Sequence, residues 1–280
     1  MSAKKSKKGS DKKESRFLHE VKEWGKAILY AVIFGTIIRL FVFETMLVPT
    51  GSMIPTINPP ARLFVEKITY EYREPDYGDI VVFWTPYVDI ESQKYLRGFD
   101  KFMDLFSPAK YRGHVKYVKR LVGKAGDVLE LRRAPDYTAA NPVYQLYVNG
   151  EIPPALEERR YVREGVFYDP SFYLGLARPD DPSVRFSPYY RLYQAYKGLI
   201  EYTEFFETEL EPLGLEKYIT QDPSTGVVRV TVPEGFRFMM GDNSANSFDS
   251  RYFGFVPEEA IIGSPMLTIW PFSDFGPLKK

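Results

Sequence analysis

The chain has 280 residues, enough for one large domain or two modest ones with a full buried core. Its 37 Lys and Arg balance 37 Asp and Glu, so no chain-wide basic field points to nucleic acid. With no cysteine and only His19 and His114, the chain excludes a thiol nucleophile, a disulfide framework, thiolate zinc, iron–sulfur clusters and a His-rich metal centre.

Residues 1–26 carry nine cations (from Lys4 to Lys26) against four acids, and the first half of this stretch, nearly without apolar residues, reads as a disordered basic tail. Next comes AILYAVIFGTIIRLFVF, residues 27–43, broken only by Gly35, Thr36 and Arg39. Extended through Val48, the run is 22 residues long, about 33 Å as a helix and enough to cross a bilayer. No small-x-small cleavage pattern follows it, so it reads as an uncleaved anchor spanning residues 27–48. Positive charge ahead of the span predicts a single-pass protein of the cytoplasmic (inner) membrane, with its N-terminus in the cytoplasm and residues 49–280 outside.

Beyond the span, short apolar runs alternate with Gly, Pro and Asp. Segments 63–70, 79–84, 114–122, 128–131, 145–148, 227–232 and 236–240 read as strands, with turns at Gly126-Asp127 and Asn149-Gly150. The fold class is therefore mainly β, an antiparallel sheet core with one N-terminal transmembrane helix and an α/β insert. Core segments 49–132 and 226–272 flank the insert, 133–225, and residues 273–280 form a C-terminal tail. Leu96, Phe99, Phe102, Met103 and Phe106 lie at helical spacing, as do Leu192, Tyr196, Leu199 and Ile200. Within 161–206, 13 of 46 residues are aromatic, which reads as the core of a small cap or a membrane-facing surface.

Directly after the span stands Val48-Pro49-Thr50-Gly51-Ser52-Met53-Ile54-Pro55-Thr56. The prolines restrict the backbone, Gly51 permits a conformation closed to other residues, and Ser52 is thereby offered as a fixed, exposed nucleophile beside backbone N–H donors. A serine nucleophile needs a base. His19 lies before the span, but His114 remains available. The rival is a lysine in Lys116-Tyr117-Val118-Lys119-Arg120-Leu121. Strand alternation puts Tyr117, Lys119 and Leu121 on one face, where burial of Lys119 favours a neutral amine. Lys116 falls on the other face and Lys124 in a solvated turn.

A third cluster, Gly241-Asp242-Asn243-Ser244-Ala245-Asn246-Ser247-Phe248-Asp249-Ser250-Arg251, is a dense run of short polar side chains suited to locking a loop. Asp249 and Arg251 are placed to pair, and a serine hydroxyl to orient an amine. The twelve-residue calcium-loop spacing is missing, so no metal is expected.

Taken together, PTGSMIPTI (49–57), YGDIVVF (77–83), YVKRLVGKAGD (117–127) and GDNSANSFDSRYFGFVP (241–257), in this order after an anchor, resemble the bacterial type I signal peptidases. These membrane-bound Ser/Lys enzymes remove signal peptides from exported proteins. The resemblance implies a serine endopeptidase with Ser52 as nucleophile and Lys119 as general base. It implies Thr50 and the Ser52 amide as oxyanion donors, Ser247 as hydrogen-bond partner of the lysine amine, and Asp249 with Arg251 as a supporting pair. Val48, Pro49, Met53, Ile57, Tyr117 and Val118 are implied to form shallow pockets for an Ala-x-Ala motif. Secretory preproteins and the lipid bilayer are the expected partners, with no cofactor, no metal and no nucleic acid. The alternatives are a dedicated conjugation- or pilus-type peptidase of the same superfamily and an inactive membrane-tethered peptide-binding protein. A self-cleaving repressor would need an N-terminal helix-turn-helix where this chain has its basic tail and apolar span.

Overall fold

A computed structural model describes residues 7–278, with side chains from His19 onward. The chain divides into two compact units, Met1–Glu44 and Thr45–Lys280. The first six residues of the expected tail lie outside the described residues.

The N-terminal unit is built on one helix, α1, Lys7–Phe41. Its segment His19–Phe41 is 23 residues long with mean hydropathy 1.5, and its most apolar window is wholly unpacked. Ile28, Val32, Phe34 and Phe41 all stand exposed. At about 1.5 Å per residue the segment is long enough to cross a bilayer. Both ends differ from expectation. The helix already runs through the basic segment from Lys7, because straight-chain Lys and Glu are good helix formers. It stops at Phe41, and Phe43–Val48, read above as the end of the anchor, is a strand in which Glu44, Met46 and Val48 are the buried residues. An apolar run carries no period to separate helix from strand.

The strands are β1 (Phe43–Val48), β2 (Ala61–Glu66), β3 (Ile80–Trp84), β4 (Val88–Asp89), β5 (Lys116–Gly123), β6 (Val128–Arg133) and β7 (Tyr144–Val148). They continue with β8 (Ile200–Glu201), β9 (Ile219–Gln221), β10 (Val228–Thr231), β11 (Phe236–Met240), β12 (Val256–Pro257), β13 (Ile261–Trp270) and β14 (Gly276–Pro277). The main sheet has the order β1-β2-β13-β3-β5-β11-β12, with β14 on β13. Its central pairings are antiparallel, and in the β3–β5 pair Val81 faces Lys119 and Val82 faces Val118. The fold class is the mainly β, antiparallel one expected.

Alternation along β3 and β5 separates two cores. Val81, Phe83 and Leu121 point into the larger one, and Ile80, Val82 and Val118 into a smaller one shared with Val48, Met53, Ile57 and Leu63. A second antiparallel sheet, β7-β6-β10-β9, brackets the long 133–225 segment. Aromatic residues of that segment enter the larger core: Phe167 meets Phe238 with centroids 5.8 Å apart, Phe172 meets Tyr252 at 5.4 Å, and Tyr202 meets Tyr87 at 6.2 Å. The segment and the sheet thus share one apolar interior.

Three local expectations change. Strand β2 ends at Glu66, whose Oε2 accepts the N–H groups of Ile68 and Thr69 at 2.9 Å each and starts a helical turn, Thr69–Tyr72, where a strand had been read. The helix read through Ile200 covers only Tyr190–Tyr196; Gly198 takes a φ of 81°, and Ile200 pairs into β8 against β4. The ten-residue β13 is not evident from the sequence, because Gly263 and Pro265 look like strand breakers. Gly263 is needed there, since a Cβ at that position would lie 1.9 Å from the Glu66 carbonyl oxygen.

Candidate active site

Three segments meet at the centre of the site: the turn after β1, strand β5 and the polar loop after β11. The turn is stapled from below. Ile57 N–H donates to the Met53 carbonyl at 2.9 Å, and both side chains are buried in the smaller core. It is held from the side by Asn243, whose backbone N–H donates to the Ser52 carbonyl at 3.0 Å and whose Nδ2 donates to the Gly51 carbonyl at 2.9 Å. Two expectations about this turn are corrected. Gly51 is not among the left-handed glycines; a Cβ there would instead crowd the Ile54 side chain at 2.9 Å. Ser52 is not exposed but 6 % accessible, because the turn folds against the sheet and the Asn243 loop covers it.

Lys119 lies on β5 opposite Val81, and its Nζ is 2.7 Å from Ser52 Oγ. The ammonium position is 5.0 Å from the Tyr117 ring centroid, on the strand face expected from alternation. At 4 % accessibility, desolvation dominates the amine and pushes its pKa from 10.5 down to about 8. Asp249 and Asp242 pull the other way by favouring the charged form, while Arg251 adds to the lowering.

The two carboxylates are themselves neutralised. Asp249 and Arg251, both fully buried, form a two-point ion pair: Nε donates to Oδ1 and Nη2 to Oδ2, each at 2.9 Å. Asp249 Oδ2 also accepts the Gly241 N–H at 3.0 Å. The remaining guanidinium donors reach Ser244 Oγ (2.9 Å), the Ser244 carbonyl (2.7 Å) and the Val162 carbonyl (3.1 Å). A second buried pair joins Arg120 to Asp242, with Nε on Oδ1 at 2.7 Å and Nη2 on Oδ2 at 2.6 Å. Arg159 adds a contact to Asp242 at 3.3 Å, and Thr56 Oγ1 donates to the same carboxylate. Matched charges keep two acids beside Lys119 without holding it as a full ammonium.

Gly241 is the packing point of the assembly. A Cβ built on it would sit 2.2 Å from Ser247 Oγ and 2.5 Å from the Ser52 carbonyl oxygen. Ser247 corrects another expectation: its Oγ is buried without a hydrogen-bond partner among the described residues, rather than bonded to the Lys119 amine. The physical reason is direction, since the lysine amine is turned onto Ser52 Oγ and the Ser247 hydroxyl is turned onto Gly241.

Of the other expected residues, Thr50 and Pro49 are exposed on the turn, Tyr117 is half-buried, and Val48, Met53, Ile57 and Val118 are buried in the smaller core. His114, the rival base, is engaged elsewhere: its Nδ1 is 2.6 Å from the Thr85 carbonyl and its ring meets Tyr111 edge-on. Arg120, Gly241, Asp242, Asn243 and Ser244 carry the site without having been singled out from the sequence. All five stood inside the segments 117–127 and 241–257; the signal available was a charged residue on each side of a strand and loop that both carry site residues.

A serine and a desolvated lysine at hydrogen-bond distance, set on an antiparallel sheet, describe a hydrolase-like centre. The sequence comparisons agree on which hydrolases these are. Residues 21–270 match the Peptidase_S26 family, described as signal peptidase, peptidase S26. The chain is 29 % identical to signal peptidase I T of Bacillus subtilis over 268 residues, covering 95 % of this chain and 92 % of the relative. It is 26 % identical to the probable signal peptidase I-2 of Synechocystis sp. over 267 residues, covering 95 % and 81 %. A crystal structure of a signal peptidase I from Enterococcus faecalis V583 covers 69 % of this chain and 97 % of its own at 22 % identity, with a TM-score of 0.27 that adds nothing to the assignment. The chain belongs to the signal peptidase family, peptidase S26. It is a peptidase, a hydrolase that processes the signal peptides of preproteins.

Proposed function

We propose that the protein is a membrane-anchored serine endopeptidase that cleaves signal peptides after Ala-x-Ala by means of a Ser52/Lys119 dyad. The observation that carries this reading is the 2.7 Å approach of Lys119 Nζ to Ser52 Oγ inside a site where burial disfavours the ammonium.

In this reading the neutral Lys119 amine accepts the Ser52 proton as Oγ attacks the carbonyl after the small residue. The Ser52 N–H and Thr50 hydroxyl donate to the oxyanion. The ammonium then delivers its proton to the leaving amine. A water molecule, deprotonated by the same amine, hydrolyses the acyl-enzyme. The Asp249–Arg251 pair fixes the loop that packs Gly241 against Ser52. Val48, Met53, Ile57 and Val118 form the floor of the substrate cleft, with Pro49 and Tyr117 at its rim. The Ala-x-Ala preference is assigned to this floor, whose four residues already pack against one another in the smaller core.

The apolar length of α1 makes it the anchor, with the N-terminus on the cytoplasmic side because the cations of residues 4–26 precede its apolar stretch from Ala27. Anchoring holds enzyme and membrane-inserted substrate in one plane and raises their effective concentration. The test is to incubate the detergent-solubilised chain with preproteins carrying Ala, Leu or Glu at each of the two small positions and to sequence the new N-termini. Cleavage confined to the Ala substrates supports the reading, and equal cleavage of all three overturns the specificity.

A further inference from the structure

Tyr117 stands at the rim assigned to the substrate cleft, and its ring is placed from behind. The ring centroid lies 5.0 Å from Lys119 Nζ, which is itself 2.7 Å from Ser52 Oγ, so ring, amine and hydroxyl follow one another in contact. The aromatic neighbours of the ring hold it only by its edges. Phe83, Tyr87 and Phe253 meet it at centroid distances of 6.4, 6.3 and 6.4 Å, towards the long end of the range for such pairs. A half-buried ring with wide edge contacts needs a further restraint to keep one orientation.

Asp89 supplies that restraint. The Tyr117 hydroxyl donates to Asp89 Oδ2. Burial and the Asp89 carboxylate push the phenol well above its ordinary pKa, so it keeps its proton and remains the donor. Asp89 is 4 % exposed and is immobilised in its turn. Its Oδ1 accepts the Ser92 N–H at 2.8 Å and its Oδ2 the Ser92 hydroxyl at 2.6 Å, which caps the short helix Ile90–Gln93. Its backbone is clamped by the 133–225 segment: Asp89 pairs with Ile200 where β4 meets β8, and the Ile90 N–H donates to the Leu199 carbonyl at 3.0 Å. A buried carboxylate with three donors, on a strand backed by another strand, is a rigid anchor for one phenol.

The hydrogen bonds of the Asp89 carboxylate go to Tyr117 and Ser92, not to Ser52 or Lys119, so its effect on the reaction passes through the ring. We propose that Asp89 is a specificity-determining positioning residue: by holding the Tyr117 hydroxyl it locks the ring at the cleft rim, fixes the width of the cleft beside Lys119, and lets segment 133–225 set which side chains are admitted before the scissile bond. This rests on the reading of Tyr117 as part of a substrate cleft that prefers small side chains.

The test compares kcat/KM of the full chain in detergent on two preproteins that differ only in carrying Ala or Val immediately before the cleaved bond. The variants are Tyr117→Phe, Asp89→Leu, the double variant and Asp89→Asn, each checked for folding. Tyr117→Phe removes a single oxygen and keeps the ring, so it carries the test even where Asp89→Leu fails to fold. The parent is expected to favour Ala about tenfold or more, the scale that added methyl groups set in a fitted pocket. That ratio is expected to fall about fivefold in Tyr117→Phe and in Asp89→Leu, with no further fall in the double variant, because both changes delete the same bond. Asp89→Asn keeps a side-chain amide to bond the phenol and is expected to stay within about twofold of the parent ratio. A ratio that stays at the parent value in folded Tyr117→Phe, including one in which both substrates slow equally, overturns the role of Asp89 and leaves the Ala preference standing. Losses of selectivity that multiply in the double variant, or a ratio in Asp89→Asn that falls as in Asp89→Leu, contradict the hydrogen bond as the cause. A parent that cleaves both substrates equally overturns the Ala preference and the Asp89 role with it.

Discussion

Arg120 grips both carboxylate oxygens of Asp242 across 122 residues of sequence, at 2.7 and 2.6 Å, with both side chains almost fully buried. The pair ties β5 to the loop after β11. That loop also holds the Ser52 turn, through Asn243, and packs Gly241 against Ser52. Asp242→Asn is expected to lose about 3–5 kcal/mol of stability, because it strands a buried guanidinium. The double change Arg120→Met/Asp242→Leu is expected to recover much of that loss. Chemical denaturation of the four corners of this cycle measures it; independent, additive losses would contradict a coupled pair.

Lys119 links stability to pH. Its pKa is lowered to about 8 in the folded chain against 10.5 when free. Between these values the unfolded chain binds more protons than the folded one, so stability rises with pH across the window and the penalty is fully present below it. Lys119→Met removes the penalty. The variant is expected to be more stable than the parent at pH 7 by up to about 3 kcal/mol, with the gap closing towards pH 10.5. A constant gap across that range would show that the amine is not desolvated.

In the proposed mechanism Lys119 must be neutral to accept the Ser52 proton, so kcat/KM is expected to rise through an acidic limb near pH 8 and not near 10.5. Asp249 favours the charged amine and Arg251 disfavours it. Asp249→Asn therefore moves the limb to lower pH and Arg251→Gln moves it higher, each with a loss of stability from the broken buried pair. Limbs that stay in place in both variants would remove these two residues from the electrostatics of the site.

Gly241→Ala places a methyl group 2.2 Å from Ser247 Oγ and 2.5 Å from the Ser52 carbonyl oxygen. The collision displaces the turn that carries Ser52, the proposed nucleophile, and a shift of that size is expected to cost about 100-fold in kcat. Gly25→Ala, in helix α1 where a Cβ meets nothing within 4 Å, serves as the control, with activity retained. Comparable losses in both would detach the effect from the site.

Much of this was legible in the sequence where local pattern and chemistry agree. Strand alternation around Lys119 put Tyr117 and Leu121 on its face, and both do enter the larger core beside it. Asn149-Gly150 announced a turn, and both residues take positive φ, 53° and 89°. Phe236–Met240 stands as read. What stayed hidden depended on partners far along the chain. Arg120 is an ordinary strand cation until Asp242 is brought to it, and Gly263 in β13 looks like a break until the Glu66 carbonyl is found against it. β1 was hidden for a different reason: Phe43–Val48 continues the apolar run of the helix, and only its alternating burial separates the two.

The central claim is that Ser52 and Lys119 act as one catalytic unit. The most direct measurement is cleavage of a preprotein with an Ala-x-Ala site by the full chain in detergent, beside Ser52→Ala, Lys119→Ala and His114→Ala, each checked for folding. The account predicts that the parent and His114→Ala cut after the second alanine and that Ser52→Ala and Lys119→Ala are both inactive. Cleavage by folded Lys119→Ala, or its loss in folded His114→Ala, would contradict it.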